Sequence, residues 1–327
     1  MSYTAYAATM QGVWFSHDDG ENWSRLLTPT GGMYNEARCW AIETHPDRPG
    51  NVLAGTDQGL YRYTREKNRF DYVPSPMDDL HILQIARDPN DPNFIVCGTR
   101  PGEVFISEDD GESWTRSKLA VATECWFINT TRVTSIKFDP RERDTIWATV
   151  EIDGAFRSRD RGKTWELLVD GLVDRDTHDM IFLDRGDGRE ILMSTEAGVH
   201  RSRDNGASWV CEPIDLAPWP YFRSLRSLPG KPEQVLASVG DKPSGETGMV
   251  LLSEDFGATW REVELPHPVN STIWSFATHP GDPNLVFFAT IFGQIYRSKD
   301  GGASWTKIKR ELGEIRMIAW EPSAPAA

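Results

Sequence analysis

Six copies of Ser-x-Asp-x-Gly-x-x-Trp constrain this chain more than any other feature. They start at Ser16, Ser107, Ser158, Ser202, Ser253 and Ser298 and end on Trp23, Trp114, Trp165, Trp209, Trp260 and Trp305. Four of the spacings are 44 to 51 residues, and the first, 91, is about two periods. A degenerate copy, Tyr63-Thr64-Arg65-Glu66-Lys67-Asn68-Arg69-Phe70, fills that gap with Phe70 in the Trp place. Four short strand signals recur in each period; in the last complete unit they are 272–278, 285–290, 293–298 and 305–308. A repeat of this length with four strands reads as one propeller blade. The expected fold is all-β: a seven-bladed β-propeller with four-stranded antiparallel blades. Residues 3–8 match a blade's second strand and 315–320 a first strand. The N- and C-terminal strands are therefore expected to share one blade and close the ring, which removes a free sheet edge. Length alone suggests two domains at about 150 residues each, but the repeat makes 1–327 a single propeller.

Composition narrows the function classes. The net charge is −14, with 49 acidic against 35 basic residues. That argues against general nucleic-acid or anionic-membrane binding, which needs a basic face. No apolar run approaches the ~18 residues of a membrane span. Cys39, Cys97, Cys125 and Cys211 form no CxxC and no metal-ligand spacing, so they read as reduced, mostly buried thiols, with no metal and no cofactor expected. Residues 1–8 have neither a basic nor an apolar leader region, which makes a cytoplasmic location the expectation.

The motif has a structural logic. Its Asp can accept backbone N–H groups across a tight turn, its Gly supplies an unusual backbone angle, and its Trp packs between blades. The six motifs resemble the Asp-box, or BNR repeat, of sialidases, xyloglucan-active and related glycoside hydrolases, sortilin-type receptors and the propeller factor that assists photosystem II assembly. The resemblance implies that the boxes lie between third and fourth strands, on the rim opposite the usual ligand face. Their aspartates are then structural. A glycoside hydrolase-like activity has the largest family weight. Sialidases carry an arginine strand ahead of the first box, where this chain has Gln11-Gly12-Val13-Trp14-Phe15.

The opposite face would carry the chemistry. Counting eight residues back from each turn proline, with Gly186 standing in once, gives Arg38, His81, Arg132, His178, Tyr221, Thr272 and Glu314. Two residues on lie Trp40, Leu83, Thr134, Met180, Arg223, Trp274 and Arg316. Arg38, Arg132, Arg223 and Arg316 converging on the channel mouth would bind a carboxylate, phosphate or sulfate. The competing reading pairs these cations with Glu36, Asp179 and Glu314. The turns between second and third strands bring Asp57 to the same face, as a substrate-binding candidate, with Glu151 and Glu196 at equivalent places on adjacent blades. That pair would serve as acid and base, or acid and nucleophile, in glycoside cleavage; the bland alternative is solvated loop acids. His81, His178 and Tyr221, beside the arginines, would suit a lyase or lactonase. Trp126, Trp219 and Trp274 would contact a sugar-like substrate or plug the loops. The leading expectation is an enzyme acting on a small anionic or sugar-like molecule, with a protein-docking propeller as the non-enzymatic rival.

Overall fold

The computed structural model describes residues 2–25, 33, 37–123, 129–186 and 188–323. It contains seven four-stranded antiparallel sheets and no helix among these residues. The inner strands are Cys39–Thr44, His81–Asp88, Val133–Phe138, Thr177–Asp184, Tyr221–Leu228, Ile273–His279 and Ile315–Pro322, taken here as blades 1 to 7. Each inner strand touches the next, and the seventh touches the first, so the ring closes. In blade 7 the C-terminal strand pairs with the N-terminal one, from Tyr3 opposite Pro322 to Thr9 opposite Ile315. Hydrogen bonds between the two ends thus complete the last blade.

Sequence pattern explains why the blades stack. Second strands are buried on both faces and read as continuous apolar runs, such as Val52-Leu53-Ala54 and Val286-Phe287-Phe288, all fully buried. Their side chains meet the neighbouring blade in separate apolar clusters; Trp147, Met180, Met193 and Trp209 form one between blades 3 and 4. Each fully buried large apolar side chain contributes about 1.5–3 kcal/mol.

The repeated motif forms one turn six times, directly after the third strand. In its third copy Ser158 Oγ accepts the Gly162 N–H at 2.7 Å and donates to Asp160 at 2.8 Å. The same aspartate accepts the Thr164 N–H at 2.8 Å and the Thr164 hydroxyl at 2.6 Å. Gly162 has φ +82° and the preceding Arg161 φ +58°, which is why glycine is required there. The Trp165 indole donates to the Gly162 carbonyl at 3.1 Å. Hydrogen bonds from Ser113 hold Asp109 down to about 2. Burial pushes Asp160 up, but the bonds from Thr164 outweigh it and bring it to about 2. A carboxylate committed in this way is part of the backbone turn.

Arginines on the third strands fasten these turns across the blade gap. Arg201, fully buried, donates to the Phe256 and Gly257 carbonyls at 3.1 and 2.8 Å and to Glu212 at 2.7 Å. Arg157 donates to the Asn205 carbonyl at 2.6 Å and Glu166 at 2.5 Å. Arg297 reaches the Asp19 carbonyl in the same way.

Candidate functional site

On the face opposite those turns, every inner strand carries a β-bulge at the channel mouth. Blade 1 pairs Cys39 with Thr56 and then Ala41 with Gly55, which leaves Trp40 out of the ladder. The same break leaves out Leu83, Thr134, His178, Trp274 and Arg316. In blade 5, Arg223 and Ser224 face Ser238 alone. A bulge re-aims the extra side chain, and most of these residues line one central cavity, of about 100 Å³. A space of that size suits a small charged group.

The bulge register corrects the sequence alignment in blade 4. The backbone N–H groups of Asp57, Glu151, Ile291 and Met10 donate to the carbonyls of Arg38, Arg132, Thr272 and Glu314, and the Glu196 N–H donates to Asp176. Asp176, rather than His178, therefore holds the leading position of its blade, and His178 takes the bulge in place of Met180. Met180 is fully buried between blades. Gly186 stands two residues further along its turn than the prolines do in theirs.

The bulged side chains stack around the mouth. The His81 and Trp40 rings lie 5.9 Å apart at 21°. Arg316 sits 4.6 Å from the Trp40 ring and 5.1 Å from Trp274, and Arg223 covers Trp274 at 3.8 Å. Cation–π attraction lets the indoles hold two guanidinium groups near each other. Burial, with Arg223 and Arg132 adding to it and Glu314 opposing, holds Arg316 down to about 10. An anion would relieve that strain on the charged form.

Donors at the mouth are incompletely used, as are the acceptors Glu151 Oε2, Asp176 Oδ1 and Glu314 Oε1. Arg132 Nε, Arg223 Nη1, Arg226 Nε and Arg316 Nε are buried with no hydrogen-bond partner. Leaving such groups unmade costs about 1–3 kcal/mol each. Deeper in the channel, Lys137 pairs with Asp179 at 2.9 Å. Asp179 also accepts from Ser135, Ser224 and the Leu225 N–H at 3.1, 3.3 and 3.2 Å. Burial pushes the Lys137 ammonium down, and Arg226 adds to that. Of the internal salt-bridge reading, Glu314 pairs with Arg316; Asp179 is taken instead by Lys137, which is not one of the candidate cations, and Glu36 lies outside the described residues.

The carboxyls divide into two environments. Glu151, buried, accepts from Arg132 at 2.5 Å. Glu196 is pushed up by burial, then by Asp176 and Asp174. Burial raises Asp176 too, but His178, Arg223 and Arg132 more than offset it and hold it below the usual carboxylate range. Neighbouring carboxyls moved in opposite directions are the arrangement that separates an acid from a base. His178 is buried; its Nδ1 lies 2.6 Å from the Phe222 carbonyl and its Nε2 3.4 Å from Asp176. Tyr221 is buried against it, ring centres 4.7 Å apart, and burial pushes its phenol up.

Other candidates lie elsewhere. The Arg38 side chain is 59% exposed, outside the cavity, and 3.9 Å from Asp57. Asp57 also accepts the Arg38 N–H at 2.9 Å, which is the work of a loop brace. Trp219 packs on the apolar cluster holding Phe222 and Val239. Trp126 lies outside the described residues. Asp176, Lys137 and Arg226 were not singled out from the sequence; shifting blade 4 by two residues would have exposed the first.

No protein-family model matches the chain. It is 23% identical over 342 residues to a probable oligoxyloglucan-reducing end-specific xyloglucanase of Neosartorya fischeri, covering 86% of this chain and 41% of that protein. The chain thus spans well under half the length of that relative. Among solved structures, an ancestral GH74 enzyme superposes with a TM-score of 0.65 at 17% identity, over 91% of this chain and 39% of the other. YCF48 bound to D1 peptide superposes at 0.63 and 16% identity, over 86% and 85%. The fold is therefore a seven-bladed propeller resembling those of GH74 xyloglucanases.

Proposed function

We propose that this chain is a glycoside hydrolase-like Asp-box propeller whose channel mouth takes a small sugar-like ligand by its anionic group. One observation carries the reading: buried guanidinium N–H groups of Arg132, Arg223 and Arg316 without partners, around a cavity sized for such a group. Bidentate guanidinium contacts suit a carboxylate or phosphate. Glu196, held protonated more readily than an ordinary glutamate, is the proton donor to the leaving oxygen. Asp176, ionised and positioned by His178, takes the proton from the water that attacks the anomeric carbon as the glycosidic bond breaks. Glu151 positions Arg132. The lyase reading is weaker at His178, whose ring nitrogens both face partners, and would fall to His81, whose buried Nδ1 has none.

The test is nitrophenyl glucuronide and galacturonide against nitrophenyl glucoside. Expected are release from a uronide, and a loss of about 100-fold or more in kcat for Glu196→Gln with uronic-acid binding kept. Neither binding nor turnover of any uronide overturns the proposal. Binding without turnover would favour a second reading, docking of an acidic peptide. Arg132's hold on Glu151 supports that second reading, since it removes one free carboxylate from the mouth.

A further inference from the structure

A separate cavity of about 440 Å³ lies on the other rim, between blades 7 and 1, where the two chain ends meet. Its position has a local cause. At the other seams a turn glycine sits tightly against the preceding blade, as Gly162 does on Ile106 and Gly206 on Trp147. Blade 1 carries the degenerate copy, with Arg65-Glu66-Lys67 where the others have the glycine turn and Phe70 for Trp. The seam is left unfilled, with far more room than the ~30 Å³ share of one water.

One group inside is built for a ligand. Glu321 is only 3% exposed. Its Oε1 accepts from the Tyr6 hydroxyl at 2.5 Å and from the Gly50 N–H at 2.8 Å. Its Oε2 is buried, has no partner, and belongs to a residue that lines the cavity. Tyr63, whose hydroxyl donates to Asn68 at 3.2 Å, His17 and the exposed Arg65 line the same space, and Arg65 acts on Glu321 only through space. A buried carboxylate oxygen with no donor is satisfied best by a charged one. The net charge of −14 also concentrates cations at the surface.

We propose that this seam cavity binds a small organic cation, an ammonium or guanidinium group donating to Glu321 Oε2. Such a ligand touches strands from both ends of the chain together with blade 1, so it fastens the ring closure. It stabilises the folded state by mass action. Burial raises the Glu321 carboxyl, so the cation competes with a proton there. The groups facing Glu321 are Tyr6, Tyr63, Arg65 and, through space, Glu43.

The probe is agmatine, titrated calorimetrically into the whole chain and followed by thermal melting. Saturable binding and a melting temperature that rises with agmatine are expected. Glu321→Gln should weaken binding at least tenfold, while Arg223→Ala, at the other face, should leave it unchanged. Should Glu321→Gln fail to fold, carbon-13 titration of Glu321 in the unaltered chain decides: agmatine should move its midpoint to lower pH. No binding, equal binding by the glutamine variant, or an unmoved midpoint means the cavity holds water only and overturns the proposal.

Discussion

Two sets of arginines, one buried on the rim and one half-buried at the mouth, stand at opposite faces of the propeller and are treated in opposite ways. On the rim of repeated turns, Arg201 spends its guanidinium on two carbonyls and two glutamates, and Arg157 spends its own on a carbonyl and Glu166. At the mouth, Arg223 and Arg316 sit over indoles, which supply attraction without accepting an N–H, and Arg316 has one further partner in Glu314. The rim is a finished electrostatic structure, and the mouth is one with open donors. Stability should therefore depend on the first set and ligand binding on the second.

The largest expected effect is at the rim. Arg201→Ala leaves the Phe256 and Gly257 carbonyls without their guanidinium donor, while Arg203 still pairs with Glu190 and Glu212, and should cost about 2–4 kcal/mol in denaturant unfolding. Arg223→Ala should change stability by less than about 1 kcal/mol, since it also removes repulsion from Arg316 and Arg132, yet should abolish uronic-acid binding. Equal losses of stability at both ends would erase the distinction.

How much of this was legible differs between the two ends. The rim was readable because each of its residues does local work: Ser158, Asp160, Gly162 and Trp165 lie within one turn, so their spacing survives in the sequence. The mouth is made by seven bulges, and a bulge depends on what pairs across the sheet. Arg132, Arg223, Trp274 and Arg316 could be found by counting from prolines, because those turns share one length. Asp176 could not, because the Gly186 turn is two residues longer. Nor could stacking on Trp40 and Trp274 be read, since each contact joins residues of different blades, as Arg316 on Trp40 does.

A smaller effect sharpens the mouth. Glu196 has a raised folded-state carboxyl, so its contribution to stability is present below its unfolded value and is lost as pH rises through the folded one. Glu196→Gln should therefore raise the melting temperature slightly above that pH and leave it unchanged below. A fall at high pH would mean the carboxylate is a structural partner. The smallest effect belongs to the rim. Asp160 is depressed to about 2, so its stabilisation is present above about pH 4 and is lost as pH falls toward 2. Asp160→Asn should flatten acid unfolding in that window, read by the pH dependence of the melting temperature.

The central claim, open donors at the mouth against spent donors at the rim, is tested most directly by nitrogen-15 NMR of arginine Nε–H groups during titration with glucuronate. The account predicts saturable shifts for Arg132 and Arg316, with Arg157 and Arg201 unmoved. Shifts of equal size in both sets, or none at Arg132 and Arg316, would contradict it.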